Sequence, residues 1–322
     1  MLGNERLKAR LGELARGRRA AAMEGTSGAG DSARAEAVED PERKEDAGDP
    51  GALLSAPAGS GCEDAPRSGR AGRRRAEGLG VEAFLEGGEW RDERGAVFVH
   101  ERLRSEIERR RAHWGRLGEP PEEEPDLKAL SAAGLSRALF LDLETGGLAS
   151  SPVFLAGTMH WNGEDFVLRQ YFARHYGEEA ALLSAVAEAA RGFEFLVTFN
   201  GKSYDEPFLA GRAVVHGLRL ALPARHLDLL HPARRRWKSR LSDFRLTTLE
   251  LHVCRRRRSG DVPGEEVPGL YHDYVRNGDP YRLIPVFHHN MLDVITMAEI
   301  LSALCEAGAS PVPGGGARTH PD

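Results

Sequence analysis

LFLDLETGG, at residues 139–147, is an apolar stretch that carries two carboxylates and ends in a glycine pair. Its apolar, β-favouring residues predict a strand over 138–144. Side chains two apart on a strand point to the same face, so Asp142 and Glu144 project together while the leucines point into the core. Two neighbouring carboxylates repel each other unless a cation lies between them, and Mg²⁺ or Mn²⁺ prefers such oxygen ligands. The alternative is that both lie at an exposed strand end beside the glycine turn.

The residues after this strand predict a sheet covered by helices. Two further strands are expected at 153–161 and 165–173, and the turn signal Asn162–Gly163 between them predicts a hairpin. A buried strand is expected at 195–199. Helical patterns cover residues 178–191, 204–216, 226–236, 247–252 and 270–276, and a final long helix runs to about 306. This order of elements predicts an α/β fold in which a mixed sheet is flanked by helices.

The second motif, FNGKSYDEPFL at 199–209, follows a predicted strand and opens a helix. Asp205 is expected in the first turn of that helix, where a carboxylate is also favoured by capping and by the helix dipole. Asn200 and Lys202 in the preceding loop are candidates to contact a phosphate or to steady a ligand. The alternative interpretation is an ordinary strand–loop–helix connection.

The third motif, FHHNMLDVITMAEIL at 287–301, places Asp293 at the beginning of an apolar helical stretch, after a histidine pair. His289 is four residues before Asp293, about 40° away around an α-helix, so the two side chains would face the same cleft. His288 is five residues before Asp293, about 140° away, and becomes the better candidate only if the helix starts near Asn290. The position of the helix start therefore decides between the two histidines.

Together these three motifs resemble those of a known superfamily. D-x-E on a strand, N-x₄-D at a helix start and H-N-x-x-D on a late helix are similar to the DEDD superfamily of 3′–5′ exonucleases, which have a ribonuclease H-like fold. The resemblance runs from about Leu139 to Leu304. The chain also resembles the YprB-type ribonuclease H-like domain in EWRDERGAVFVHE at 89–101, HLDLLHPARRRW at 226–237, RLTTLE at 245–250 and SGDVPGEEVPGLYHDYVRNGD at 259–279.

This resemblance implies a metal-dependent nuclease that hydrolyses phosphodiester bonds with two Mg²⁺ or Mn²⁺ ions. The implied metal ligands are the carboxylates of the three motifs: Asp142, Glu144, Asp205 and Asp293. Asp142, deepest on the central strand, is expected to bridge the two ions, and Glu144 to share in catalysis with it. A histidine is implied as general base. The histidine branch of the superfamily has it five residues before the last aspartate, which matches His288, whereas the YprB-type pattern reads His-Asn, which favours His289.

Basic residues inside the predicted folded part are candidates for nucleic-acid binding. RRRWKSR at 234–240 and RRRR at 255–258 stand on a chain of net charge −5, and such local basic runs can neutralise phosphates. Trp237 could stack on an unpaired base, or it could anchor a helix on the core. The predicted nucleic-acid contacts are Thr145, Asn200, Lys202, Arg234, Arg235, Arg236, Trp237 and Lys238. The alternative for both runs is a solvated helix face.

Composition divides the 322-residue chain into four parts. Residues 1–78 contain no Phe, Trp or Tyr, which predicts a disordered, low-complexity region with a short basic helix as a candidate at 4–22. An N-terminal extension and linker is expected at 79–136, with strands in 89–101 and a charged helix at 103–114. The ribonuclease H-like exonuclease domain is expected at 137–307, and a disordered tail at 308–322.

Cysteine usage and hydropathy indicate the compartment. Cys62, Cys254 and Cys305 are isolated, which argues against a zinc knuckle and a disulfide framework and fits a reducing environment. No apolar run approaches the length of a membrane span. These features predict a cytoplasmic protein with no membrane partner.

Three functions are compatible with the sequence. The first is a 3′–5′ exonuclease that acts on DNA or RNA. The second keeps the fold and the metals but cuts internally, as a ribonuclease H-like endonuclease. The third is a non-catalytic nucleic-acid-binding module of a helicase or repair complex, which is disfavoured because four clustered carboxylates without a metal would lower stability.

Overall fold

The computed structural model describes residues 80–108, 117–148, 150–258 and 260–306. The expectations for 1–78 and 308–322, for Cys62 and for residues 109–114 of the charged helix at 103–114 lie outside the described residues. Cys254 and Cys305 are buried, and neither forms a disulfide within the described residues. Among the helices in the described ranges, none is both long enough and apolar enough to cross a bilayer.

Seven strands of the described residues form one mixed sheet in the order β1-β2-β5-β4-β3-β6-β7. They are β1 Gly88–Asp92, β2 Gly95–Leu103, β3 Ala138–Thr145, β4 Val153–Trp161, β5 Phe166–Phe172, β6 Phe195–Thr198 and β7 Arg225–Asp228. β3, β6 and β7 run parallel to one another, and the other neighbours are antiparallel. The α/β fold with a mixed, helix-flanked sheet is therefore confirmed.

The predicted hairpin is also confirmed, and its turn has a clear local cause. The side-chain Oδ1 of Asn162 accepts hydrogen bonds from the backbone N–H groups of Glu164 and Asp165, each at 2.9 Å. Gly163 has a φ of 108°, a conformation that residues with a Cβ rarely adopt. The turn thereby fixes the register of β4 against β5.

Eight α-helices of the described residues cover the two faces of the sheet. They are α1 Arg104–Ile107, α2 Pro125–Ala133, α3 Glu179–Ala189, α4 Asp205–Val215, α5 Leu230–Trp237, α6 Leu246–His252, α7 Val267–Asn277 and α8 Ile284–Cys305. α3 and α4 pack on one face of the sheet, where they share a hydrophobic cluster with Leu141 and Leu196. α2, α5, α6 and α8 pack on the other face, around Phe140 and Val197.

The strands of the predicted N-terminal extension belong to this same sheet. β1 and β2 form a hairpin, and β2 pairs with β5, so that Phe98 lies opposite Phe172. Both phenylalanines are buried. The extension therefore completes one edge of the sheet.

Two predicted helix boundaries are wrong. Residues 225–228 are a strand because they pair with β6 in parallel register, and the helix that was expected from 226 begins only at Leu230. The last helix begins at Ile284, with a proline in its first turn, where the missing N–H of proline does no harm. Asp293 consequently lies in the middle of α8 and does not begin it.

Candidate active site

The three sequence motifs meet at the end of the sheet where the parallel strands β3, β6 and β7 terminate. β3, β6 and β7 are parallel neighbours, so their carboxyl ends lie side by side, where ligands of open α/β sheets commonly bind. Asp142 and Glu144 lie in the last four residues of β3, the loop at 199–204 follows β6, and Asp205 begins α4. α8 packs across β3 and β4 and brings Asp293 to the same place. The fold thus collects carboxylates that are far apart in the sequence.

Asp142 is held by a buried side chain of α8. Asn290 Nδ2 donates to Asp142 Oδ2 at 2.9 Å and lies 3.3 Å from the backbone oxygen of the same residue. Gln170 fixes this amide, because its Nε2 donates to Asn290 Oδ1 at 2.9 Å and to the backbone oxygen of Phe287 at 2.8 Å. Gly157 lies opposite both Asp142 and Gln170 in the sheet register. Sequence reasoning missed this network, whose only signal was Asn290 beside the histidine pair.

The four predicted carboxylates lie close enough to perturb one another. Burial and the charges of Asp293, Glu144 and Asp205 raise the pKa of Asp142 well above its usual range. Burial, together with the charges of Asp293 and Asp205, also raises the pKa of Glu144 to about 8. Burial raises the pKa of Asp205 to about 7. Such a cluster of half-buried like charges is stabilised either by protons or by a cation.

Asp228, at the end of β7, organises the loop of the second motif. Its carboxylate accepts the backbone N–H groups of Asn200 at 2.7 Å, Lys202 at 3.1 Å and Leu230 at 3.0 Å. Asn200 adopts a φ of 63° within that loop. The Asp228 side chain is buried, and its charge contributes to the raised pKa of Asp205. Asp228 was not among the predicted site residues.

Asp293 contacts two cationic side chains of the chain itself. Arg258 Nη2 is in ion-pair contact with Asp293 Oδ1, and His289 Nε2 lies 3.4 Å from Asp293 Oδ2. Asp261 joins the same group, with its Oδ1 2.8 Å from His289 Nδ1 and its Oδ2 3.2 Å from Arg258 Nη1. Burial raises the pKa of Asp293, and these two cations oppose that effect. Neither Arg258 nor Asp261 was among the predicted site residues.

The two histidines occupy different places on α8. The helix starts six residues before Asn290, so the condition under which His288 would be the better candidate is not met. His289 faces Asp293 and Asp261; although burial opposes its charged form, the hydrogen bond to Asp261 and the charges of Asp293 and Glu144 raise its pKa to about 9. Burial lowers the pKa of His288. The geometry thus brings His289, and not His288, beside the carboxylate cluster.

The chemistry of this donor set suits a divalent cation, because carboxylate oxygens are the ligands that Mg²⁺ and Mn²⁺ favour. As the side chains stand, however, no group of three or more His, Cys, Asp or Glu residues in the described part of the chain is arranged to hold a metal ion. Two sets of contacts occupy oxygens of these carboxylates. Asn290 binds one oxygen of Asp142, and Arg258 and His289 bind both oxygens of Asp293.

The predicted nucleic-acid contacts separate into exposed and buried residues. Arg234, Arg236 and Lys238 are exposed on α5 and just after it. Arg235 forms a bidentate ion pair with Glu124, at 2.5 and 2.7 Å. Of the two interpretations of Trp237, the structure supports the helix anchor, because the side chain is part of the hydrophobic core and the residue is only 6% exposed. The prediction that it contacts nucleic acid does not fit this burial. The helical period turns this residue inward while its basic neighbours face solvent.

The side chains of the second basic run, at 255–258, alternate between exposed and inward-facing positions. Arg255 and Arg257 are exposed, whereas Arg256 and Arg258 point into the protein and bind carboxylates. Arg256 and Arg258 already pair with carboxylates of the protein, so only Arg255 and Arg257 remain candidates to neutralise phosphates.

The glycine turn and the loop before α4 supply the remaining candidate residues. Thr145 ends β3, and its hydroxyl donates to the backbone oxygen of Gly147 at 3.3 Å. Lys202 is exposed, as is Tyr204, which is 68% exposed and directly precedes Asp205. An exposed aromatic ring beside a carboxylate cluster is suited to stack on a base. The sequence carried this signal within the second motif, but the residue was not singled out.

Comparisons with known proteins agree with this architecture. A family model described as the RNase H superfamily matches residues 139–305, which is more than half of the 322-residue chain. The uncharacterized protein YprB of Bacillus subtilis (strain 168) is 34% identical over 178 residues, which cover 53% of this chain and 43% of that protein. The match therefore spans less than half the length of that relative.

The family B DNA polymerase from the hyperthermophilic archaeon Pyrobaculum calidifontis is similar over 51% of this chain and 24% of its own, with 18% identity and a TM-score of 0.40. A likeness this weak carries no functional argument.

Proposed function

Because the chain belongs to the RNase H superfamily, we propose that it is a nuclease that hydrolyses phosphodiester bonds from the 3′ end of DNA or RNA with the help of divalent metal ions. The observation that supports this proposal most directly is the convergence of four carboxylates from three separate elements. Their charges mutually raise their pKa values at the edge where the parallel strands end. A structural role gives no reason to gather four acids at one place, since their repulsion lowers stability.

The proposed ligands of Mg²⁺ or Mn²⁺ are the four carboxylates of Asp142, Glu144, Asp205 and Asp293. When bound, such ions supply Lewis acidity for the phosphoryl and leaving oxygens. Asn290 holds the carboxylate of Asp142 in one orientation through its 2.9 Å hydrogen bond. His289 is the proposed general base, because its imidazole lies beside Asp293 and is oriented by Asp261. The charges of Asp293 and Glu144 help to raise its pKa to about 9, and bound cations would offset those charges and lower the pKa toward the range that a base requires.

The substrate is proposed to approach across the exposed polar residues of the same edge. Lys202 and Tyr204 lie within the three residues before Asp205 and are exposed, so they can meet a phosphate and a base. Arg234, Arg236 and Lys238 add positive charge on α5. A helicase or repair protein as partner is compatible with this role, and no contact in the described residues identifies one.

The direct test is cleavage of end-labelled single- and double-stranded DNA and RNA by the purified full chain with Mg²⁺ or Mn²⁺. We expect shortening from the 3′ end that EDTA abolishes. Asp142→Asn should remain folded and lose cleavage. Asp126→Asn, an exposed carboxylate on α2, is the matched control and should keep it.

Two further results separate the alternatives. Substrates with a blocked 3′ end should resist an exonuclease, whereas an endonuclease would cut them internally. Full cleavage by Asp142→Asn, or binding of nucleic acid without any cleavage under all metal conditions, would overturn the assignment in favour of a different site or of a non-catalytic module.

A further inference from the structure

Arg258 binds three carboxylates with one guanidinium group. Its Nε contacts Glu250, its Nη1 lies 3.2 Å from Asp261 Oδ2, and its Nη2 contacts Asp293. The side chain is only 7% exposed. A buried guanidinium with every nitrogen bound to a carboxylate is a fixed positive charge, and its position is set by the protein.

Glu250, which binds Arg258 Nε, lies outside the carboxylate cluster. Glu250 is buried and also pairs with Arg256 at 3.2 Å. Arg256 continues the network to Glu108 at 2.8 Å and to Glu299 at 2.8 Å. Since one nitrogen of Arg258 is bound to this network, the guanidinium stays beside Asp293 even if Asp293 changes its own partner.

Asp293 has no oxygen that is free of a protein cation. Arg258 contacts its Oδ1, and His289 Nε2 lies 3.4 Å from its Oδ2. Arg258, Asp261, His289 and Asp293 therefore form a closed ring in which basic and acidic side chains alternate. A divalent cation that uses Asp293 must take an oxygen from this ring and must sit close to a guanidinium charge.

We propose that Arg258 is a built-in counter-cation of the carboxylate cluster, which neutralises Asp293 and competes with a divalent metal ion for it. The inference rests on the proposed function, because it assigns Asp293 to the metal. Arg258 stabilises the cluster when metal is scarce and lowers its affinity for the metal ion. Arg258 thereby determines the concentration of divalent metal ion at which the carboxylate cluster becomes occupied.

The two roles of Arg258 predict opposite effects of one substitution. Arg258→Gln removes the charge, so the protein without metal should unfold at a lower temperature while its affinity for Mn²⁺ rises by ~10-fold. Arg258→Lys keeps the charge near the cluster, so its affinity for Mn²⁺ should stay close to that of the unaltered protein. A purely structural arginine would lower stability and either lower the metal affinity or leave it unchanged.

The experiment is titration of the full chain with Mn²⁺, followed by calorimetry and by the electron paramagnetic resonance signal of free Mn²⁺. Arg256→Gln is the matched control, since it removes a buried arginine of the same network that makes no ion pair with Asp293. It should destabilise the fold without tightening Mn²⁺ binding. In the Asp293→Asn background, Arg258→Gln should lose its effect on affinity.

A second measurement uses the unaltered protein, so the inference stays testable if Arg258→Gln does not fold. The Nε–H resonance of Arg258, assigned with Arg258→Lys, should shift when Mg²⁺ saturates the site. Weaker or unchanged Mn²⁺ binding by Arg258→Gln would overturn the inference, as would an Arg258 resonance whose chemical shift does not change with Mg²⁺. Neither result would contradict the proposed function. Failure of the unaltered protein to bind either metal would overturn the proposed function itself.

Discussion

Asn290 and Gly157 are complementary in shape: a Cβ built on Gly157 would lie 2.2 Å from Asn290 Oδ1 and 3.0 Å from its Nδ2. The glycine therefore leaves the space through which an amide of α8 reaches Asp142 on the neighbouring strand. Asn290 is fully buried, so it cannot move away into solvent. The orientation of the Asp142 carboxylate depends on a residue with no side chain.

Gly157→Ala should displace Asn290 and weaken the site. The added methyl group overpacks a buried contact, which typically costs about 1–3 kcal/mol of unfolding free energy, and it should reduce cleavage together with Mn²⁺ affinity. Urea unfolding and Mn²⁺ titration measure the two effects. Gly211→Ala on α4 is the control, because a Cβ there meets no atom within 4 Å. Equal behaviour of the two variants would show that the space at Gly157 is not needed.

Trp237→Ala should act on stability and not on nucleic-acid binding. The indole is part of the core between α5 and the sheet, and loss of a buried aromatic side chain costs about 3–5 kcal/mol. Arg236→Ala, one residue away and exposed, should leave the unfolding free energy within about 0.5 kcal/mol of its original value. A Trp237→Ala protein that is fully stable but binds nucleic acid poorly would contradict this assignment.

Much of the fold could be predicted because its signals are local. The hairpin follows from Asn162–Gly163, and the strand that carries Asp142 follows from its apolar period. β7 was missed because a four-residue strand carries too short a pattern and is fixed by its pairing with β6. The start of α8 was misjudged because the functional residues, and not Pro285, were taken to mark it.

The site could be predicted only as far as its acidic residues. Their convergence follows from parallel strands that end at one edge, which sequence order allows one to expect. The partners of these acids could not be predicted, because they come from distant parts of the chain. Arg258 and Arg257 are identical neighbours in sequence, and only the position of Glu250 and Asp293 distinguishes the buried one from the exposed one.

The exposed basic residues of α5 should contribute to binding through phosphate charge. Replacing Arg234, Arg236 and Lys238 together with alanine should weaken binding of single-stranded DNA or RNA at low salt. The dependence of log K on log salt should become shallower by up to about 0.7 for each lost phosphate contact. Fluorescence anisotropy between low and moderate salt measures this slope. An unchanged slope would mean that the substrate follows another path.

Asp228→Asn should loosen the loop that leads to Asp205. The asparagine amide has only one oxygen, and its NH₂ group cannot accept a hydrogen bond from a backbone N–H. At least one of the three hydrogen bonds that Asp228 accepts is therefore lost. Hydrogen bonds to a buried charge are worth about 1.5–3 kcal/mol each, and we expect a destabilisation of about that size. Faster hydrogen exchange at Asn200 and Lys202 would locate the effect. Stability equal to that of Asp126→Asn would contradict it.

The raised pKa of Glu144 should make the stability of the metal-free protein fall as pH rises. Burial and the charges of Asp293 and Asp205 raise this pKa from 4.5 to about 8. Below pH 4.5 the group is protonated in both the folded and the unfolded states, and its favourable contribution is fully present. As pH rises toward 8 only the unfolded chain ionises freely, so this contribution is lost.

Glu144→Gln has no proton to lose, and the comparison with the unaltered protein isolates this effect. In EDTA, the unfolding free energy of the unaltered protein should decline relative to that of Glu144→Gln between pH 5 and about 8. Mg²⁺ should reverse the order at pH 8, because the cation favours the ionised carboxylate. Parallel pH profiles for the two proteins in EDTA would mean that Glu144 ionises normally. In that case the carboxylates are not held together as closely as their mutual effects on pKa indicate.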